Sequence, residues 1–350
     1  MRTFDICVLP GDGIGVEVIE ATLPLLEKVQ QGFSLRFREY PAGAHHFKKT
    51  GEALPDATFE AARRADAILF GAMGWPEIRY PDGTEIAPQL DLRFRLELYA
   101  GVRPARAIPG VPLPLSDARA GEIDLVVVRE STEGLFASRG KGVVEADQAR
   151  DTMVITRRGS ERVHEFAFRL ANKRRKLVTC VDKANVFASM AFFRKIFDEV
   201  AARHPGIEAR HHYVDATALD LVRRPWDFDV LVTENMFGDI LSDQTAALIG
   251  GMGMAPSADI GERHGLFQPC HGSAPDIHLS GKANPTACML SAAMMLDWLA
   301  ERSGDAAPQQ AARRLERAVD AVFASGKVTP WDLGGRDGTR QIRDAVLSNL

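Results

Sequence analysis

Cysteine is scarce in this chain: four among 350 residues, at Cys7, Cys180, Cys270 and Cys288. They are scattered, without the paired spacing of a metal site, and three lie in or beside apolar runs. That pattern describes small buried hydrophobes in a reducing compartment. Excess charge is missing too. The formal net charge of −4 gives no global attraction to nucleic acid or to an anionic membrane. No apolar run approaches the roughly 20 residues that span a bilayer. No secretory or transit signal precedes the first strand-like segment, so the expected location is the cytoplasm. Internal repeats are absent as well. What remains is an ordinary globular composition, 45% hydrophobic and 26% charged, in a chain long enough for two domains or one large α/β domain.

Short apolar runs alternate with helical patterns. Residues 4–9, 67–70, 124–128, 177–181 and 229–232 read as buried strands. Between the first two, Val18, Ile19, Thr22, Leu23, Leu26 and Val29 recur at helical steps on one face. This alternation predicts a mostly parallel sheet with helices packed on it. "PGVPLP" at residues 109–114 is a stiff connector. Residues 137–158 are polar, with weak strand character at 152–156, and suit a projecting arm. The run Lys173, Arg174, Arg175, Lys176 closes a helical pattern that begins near Ser160, where cations complement the helix dipole.

"VLPGDGIGVEV", residues 8–18, carries Gly11, Gly13 and Gly15. A dinucleotide fingerprint spaces its glycines G-x-G-x-x-G and follows them with an acid about 20 residues on. Here the third glycine comes one place early, and the strand context of Glu39 is uncertain. A nucleotide-binding loop and a plain tight turn both stay open.

"ENMFGDILSD" follows a strand, with a helix expected to begin at Gly238. Asp239 and Asp243 are four apart and share a helical face. Two such carboxylates repel unless a cation lies between them, and hard oxygen ligands suit Mg²⁺ or Mn²⁺. Helix-terminal acids favoured by the dipole are the alternative. Asp215, in "HYVDATALDL", offers a third acid or a helix N-cap. Lys183, in "TCVDKANVF", follows a buried strand and reads as a general base or a surface lysine. Arg93, Arg103 and Arg129 suit bidentate grip on a small dicarboxylate, or structural ion pairs. "CHGSAPDI" combines His271, small residues and Asp276, whose acid suits a free ribose 2′-hydroxyl; "GKANP" adds Asn284. His45, His46, His164, His211 and His212 lack a ligand-like partner set. "CMLSAAMMLDWLA" reads as a buried helix.

Together these motifs resemble the β-decarboxylating dehydrogenases, the family of 3-isopropylmalate, isocitrate, homoisocitrate and tartrate/D-malate dehydrogenases. The likeness runs nearly end to end through "LPGDGIG", "LR" with "VRP" ten residues on, "VVVRE", "VDKAN", "YVDA", "FGDILSD", "HGSAPDI", "ANPTA" and "DLGG". The closest look is to the 3-isopropylmalate branch. The resemblance implies an α/β, isopropylmalate dehydrogenase-like two-domain fold with a large mixed, mostly parallel sheet flanked by helices, not a Rossmann fingerprint fold. Residues 1–98 and 252–350 would form the first domain, on the cofactor side. Residues 99–251 would form the second, which dimerises and carries the arm at about 137–158. The implied reaction is NAD-dependent oxidative decarboxylation of a 3-substituted (2R)-malate, 3-isopropylmalate being the leading substrate and tartrate or D-malate the alternative. Arg93, Arg103 and Arg129 would grip carboxylates. Asp239, Asp243 and the partner's Asp215 would hold Mg²⁺ or Mn²⁺, with K⁺ as an optional further ion. Lys183 would take the hydroxyl proton, again in the partner's site. NAD would lie along His271, Gly272, Ser273, Ala274, Asp276 and Asn284. Gln89, Leu90 and Val186 would face the substrate's C3 substituent.

The chain departs from that pattern in places. Phe136 stands where the family places a tyrosine, seven residues after Arg129, and a phenyl ring carries no transferable proton. Losing a positioned general acid typically costs on the order of 10²–10⁴ in rate, so a catalytically weak dicarboxylate- and nucleotide-binding paralogue is the reading from another class. Val16 replaces a proline, Gly101 an asparagine and Gln268 a glutamate. Gln89, where isopropylmalate enzymes carry leucine, makes the pocket more polar.

Overall fold

The computed structural model describes residues 2–350, and the chain divides into two compact units. Among the described residues the first comprises 2–96, Ile108–Pro112 and Ile249–Leu350; the second comprises Glu97–Ala107 and Leu113–Leu248. The expected breaks at 98/99 and 251/252 thus shift slightly, and residues 108–112 join the first unit. Gly110 explains the last point: a Cβ there would meet the Phe323 carbonyl oxygen at 2.2 Å.

In the first unit β1 (Arg2–Gly11) pairs in parallel with β2 (Phe33–Glu39) and β3 (Ala67–Ala72). Beyond β3 come β12 (Gly265–Pro269), parallel to it, and β11 (Pro256–Ile260), antiparallel to β12. The apolar runs of β1 and β3 are buried, as strands covered on both faces require. Helices α1 (Ile14–Lys28), α2 (Ala44–Thr50), α3 (Asp56–Arg64) and α4 (Pro88–Arg95) belong to the N-terminal part. Helices α9 (Thr286–Ser303), α10 (Ala306–Ala324) and α11 (Thr339–Asn349) belong to the C-terminal part. The methionine-rich α9 is buried along most of its length, packed on β11, β12 and α10.

In the second unit β4 (Ala100–Arg106) runs antiparallel to β5 (Asp124–Glu130). From β5 the sheet continues in parallel through β10 (Val230–Thr233), β8 (Leu177–Asp182) and β9 (Glu208–Tyr213). Helices α5 (Arg157–Asn172), α6 (Ala188–Ala201), α7 (Val214–Arg223) and α8 (Asn235–Leu248) complete it. A small exposed hairpin, β6 (Val143–Val144) with β7 (Ala149–Arg150), forms within the expected arm. Residues 152–156 form no strand; Val154 makes a lone bridge to Gly134, and Arg157 already belongs to α5.

Two helix starts differ from expectation, the first through satisfaction of orphan N–H groups. The α8 helix begins before Gly238, because Glu234 accepts from the Met236 and Phe237 amides at 3.0 and 2.7 Å. Asp215 is not the N-cap of α7; Tyr213 is, and Asp215 lies in the first turn. No helix among the described residues is long and apolar enough to cross a membrane.

The basic run after α5 is an ion-pair site rather than a dipole complement alone. Fully buried Asp229 accepts from Arg174 Nε at 2.7 Å and from the Arg175 amide at 2.9 Å, while Arg174 also reaches Asp124. Removing the carboxylate leaves Arg174 Nε and the Arg175 amide without their partner inside a largely covered ion-pair site. Asp229→Ala is therefore expected to cost about 3–5 kcal/mol, read by urea unfolding; a loss of only about 0–1 kcal/mol, as for an exposed pair, would contradict this.

Candidate active site

In the second unit chemistry gathers where β5 ends and α8 begins. Arg129 is buried. Its Nε donates to Asn235 Oδ1 at 2.8 Å, and its Nη1 pairs with Asp239. Asn235 is itself fixed by donating to the Glu133 carbonyl at 2.9 Å. Gly238 makes this approach possible, since a Cβ there would lie 2.6 Å from Arg129 Cβ. The Phe136 ring lies under the guanidinium at 4.7 Å, a cation–π contact. The residue in place of the family tyrosine therefore steadies Arg129.

Asp243 follows Asp239 by one helical turn. Burial first, and repulsion from Asp239 second, raise its pKa above the ordinary carboxylate range; Arg103 and Arg129 pull the other way. Two carboxylates one turn apart on a helix offer hard oxygen ligands to a divalent cation. Among the described residues no group of three or more His, Cys, Asp or Glu side chains gathers for a metal within one chain. Asp215 instead accepts from Lys183 Nζ at 2.6 Å, which lowers its pKa. Lys183 thus enters the site as half of an ion pair. Val186, 60% exposed, lies three residues beyond it.

Glu130, next to Arg129, is a buried acid that sequence reading passed over. It accepts from the Thr132 and Glu133 amides at 2.9 and 2.6 Å and from the Thr132 hydroxyl at 2.6 Å. These bonds shape the turn that leads to Phe136. Burial outweighs them and pushes its pKa up to about 7.

In the first unit the opening glycines find their role. Ile14 N donates to the Ser273 carbonyl at 2.9 Å, and a Cβ on Gly13 would lie 2.1 Å from that oxygen. Ser273 Oγ donates to the Gly74 carbonyl at 2.5 Å. Fully buried Asp12 accepts from the amides of Ala44, His45 and Gly74. The motif clasps the loop at residues 271–276. Ala274 holds φ +39°, a conformation rare for a side-chain-bearing residue and frequent at functional sites. His271 Nε2 is buried without a hydrogen-bond partner, and burial lowers the ring's pKa, leaving it neutral. Gly272 has open space beside it, and Asp276 is exposed. An orphaned ring nitrogen, an open backbone and an acid together fit a ribose-bearing cofactor. Asn284 is held by its own neighbours. Its amide is taken up by Asp332 at 3.2 Å and Met254 at 3.3 Å, while its Oδ1 accepts from the Thr286 amide, so its side chain pins the start of α9.

Arg93 donates through Nε to buried Asp259 at 3.0 Å, and Gln268 donates to the same oxygen at 2.9 Å. Gln89 Oε1 is buried without a partner, and Leu90 is half-buried beside it in α4. Sequence reading missed Asp12, Glu130 and Asp259. The signal for Asp259 was a charge inside the apolar run "APSADIG".

The isocitrate/isopropylmalate dehydrogenase family model matches residues 5–346. The 3-isopropylmalate/3-methylmalate dehydrogenase of Methanocaldococcus jannaschii is 44% identical over 354 residues, spanning 99% of this chain and 98% of the relative. The isocitrate/homoisocitrate dehydrogenase of Thermus thermophilus is 43% identical over 349 residues, spanning 99% and 98%. Among solved structures, isocitrate dehydrogenase from Methylococcus capsulatus superposes with a TM-score of 0.87 at 39% identity, over 99% of each chain.

The raised pKa of Glu130 has a thermodynamic sign. Above about 4.5 the unfolded chain releases a proton that the folded chain keeps up to about 7. Stability therefore falls as pH rises through that window and stays level above it, by about 3 kcal/mol for this group. Glu130→Gln is expected to flatten that part of the profile in urea unfolding between about pH 4 and 8; an unchanged slope would contradict it.

Proposed function

From the premise that the chain belongs to the isocitrate/isopropylmalate dehydrogenase family, and is a dehydrogenase of that kind, we propose that it oxidatively decarboxylates a 3-substituted (2R)-malate with NAD and Mg²⁺ or Mn²⁺. The observation that carries this reading is the cluster of Arg129, Asn235, Asp239 and Asp243, a guanidinium facing a paired-carboxylate site.

Arg93, Arg103 and Arg129 hold the substrate carboxylates, each guanidinium matching a carboxylate with a planar fork. Asp239, Asp243 and the partner's Asp215 hold the divalent ion, which when bound supplies Lewis-acid polarisation of the C2 oxygen. His271, Gly272, Ser273, Ala274, Asp276 and Asn284 hold NAD. The C2 hydrogen leaves as hydride to NAD. Lys183, acting in the partner's site, takes the hydroxyl proton, after its own ammonium has released one. The C3 carboxylate then departs as carbon dioxide, and its bonding pair stays on the substrate as an enolate. Phe136 cannot protonate that enolate, so water supplies the proton.

3-Isopropylmalate is the leading substrate. Leu90 and Val186 offer apolar contact to a branched substituent. Tartrate or D-malate is the second reading, favoured by the unpartnered Gln89 Oε1, which suits a donor hydroxyl. A weak, ligand-binding paralogue is disfavoured because Phe136 supports the Arg129 grip.

The dimer belongs to this reading. On the second unit Leu219, Val222 and Ile240, from α7 and α8, are more than half exposed, as is Val186. Exposed apolar side chains of this kind suit a partner surface.

Three measurements test the proposal. Purified protein with NAD and Mn²⁺ is offered a panel of malates, with NADH and carbon dioxide recorded. Both are expected with 3-isopropylmalate, and neither signal with any malate would refute the reading. Phe136→Tyr is expected to raise carbon dioxide release by about tenfold or more, as a restored general acid should; no gain would remove that account of the position. Co-expression of two inactive chains, Lys183→Met and Asp239→Asn, is expected to restore about a quarter of wild-type activity through mixed dimers. Absence of recovery despite mixed dimers would rule out shared sites.

A further inference from the structure

Arg93 is a buried cation satisfied by an acid far away in sequence. Asp259 Oδ2 accepts from its Nε at 3.0 Å and from Gln268 Nε2 at 2.9 Å. Strand register explains the meeting. In the β11–β12 pair Ser257 lies opposite Gln268 and Asp259 opposite Leu266, so Asp259 and Gln268 are diagonal neighbours on one face, within reach of each other. Ser291 of α9 ties the strands by donating to the Gln268 carbonyl at 2.7 Å and accepting from the Ser257 amide at 3.1 Å. Asp259 occupies only the Nε edge of the guanidinium. Among the described residues the Arg93 side chain has no other hydrogen bond, so both terminal nitrogens stay outside that contact.

The geometry points to Asp259 and Gln268 as positioning residues for Arg93, and to position 268 as one where this chain needs an amide rather than an acid. The inference rests on the reading that Arg93 grips a substrate carboxylate. Gln268 donates to Asp259 whatever the pH, and leaves its charge facing the guanidinium. A glutamate there would set a second carboxylate against the first in a buried space, and one of the two would have to keep a proton. At high pH the pair would repel, and Asp259 would lose its hold on Nε. From α4 the charged Arg93 meets this pair, and from α9 the uncharged Ser291 meets the Gln268 carbonyl.

The test is steady-state kinetics of the dimeric enzyme with Mn²⁺, NAD and the malate it turns over. Gln268→Glu is expected to raise the malate KM about tenfold near pH 9 and to recover most of that near pH 6, with the NAD KM unchanged. Asp259→Asn is expected to raise the malate KM at every pH. It also removes the counter-charge of a buried cation, so Gln268→Glu carries the test if that variant does not fold. A malate KM insensitive to Gln268→Glu across this range would overturn the inference. So would a parallel rise in both KM values with a lowered Tm at every pH, the signature of a merely structural role. Arg93→Gln separates the two layers. If it raises the malate KM while Gln268→Glu does nothing, positioning fails alone; if it leaves that KM unchanged, the underlying reading fails and the inference with it.

Discussion

A buried guanidinium that must be satisfied on every side organises the second unit. Arg129 has Asn235 at its edge, Asp239 at its tip, Phe136 under its face and Gly238 against its stem. Each contact constrains the next element. Glycine at 238 lets α8 come close, which sets Asp239 and Asp243 one turn apart beside the cation. The turn built by Glu130 brings Phe136 beneath it, and Glu133 ties the same turn to α5 by accepting from the Thr156 amide at 2.8 Å. Charge balance then follows. The guanidinium pairs with Asp239, while burial first and the Asp239 charge second raise the Asp243 pKa against the pull of Arg103 and Arg129.

The first unit applies a different rule, close approach of backbone to backbone. Gly13 meets the Ser273 carbonyl and Gly11 meets Ala72, where side chains would collide. The opening glycines therefore let this turn approach the backbone of β3 and of the loop around Ser273. The strained Ala274 and the neutral His271 follow from holding residues 271–276 in one shape.

Much of this was legible in the sequence. The strands at residues 4–9, 67–70, 124–128, 177–181 and 229–232 were marked by apolar runs, and the Asp239/Asp243 spacing by helical periodicity. What stayed hidden depends on register and on packing between distant segments. Nothing local says that Asp259 faces Gln268; only the antiparallel pairing does. Nothing local says that Phe136 lies on Arg129, or that Asn284 spends its amide on Asp332. Glu130 was hidden because its neighbours are backbone amides. The weak strand at 152–156 failed because β propensity without a partner forms only a lone bridge. Capping misled twice, because Glu234 rather than Gly238 marks the start of α8, and Tyr213 rather than Asp215 caps α7.

The central claim is that Asp239 and Asp243, set beside Arg129, form a cation site. Electron paramagnetic resonance of Mn²⁺ titrated into the metal-free dimer reads this without any turnover. The account predicts about one tightly held ion per protomer in the native protein, and its loss in a folded Asp243→Asn variant. Undiminished Mn²⁺ binding by that variant would contradict it.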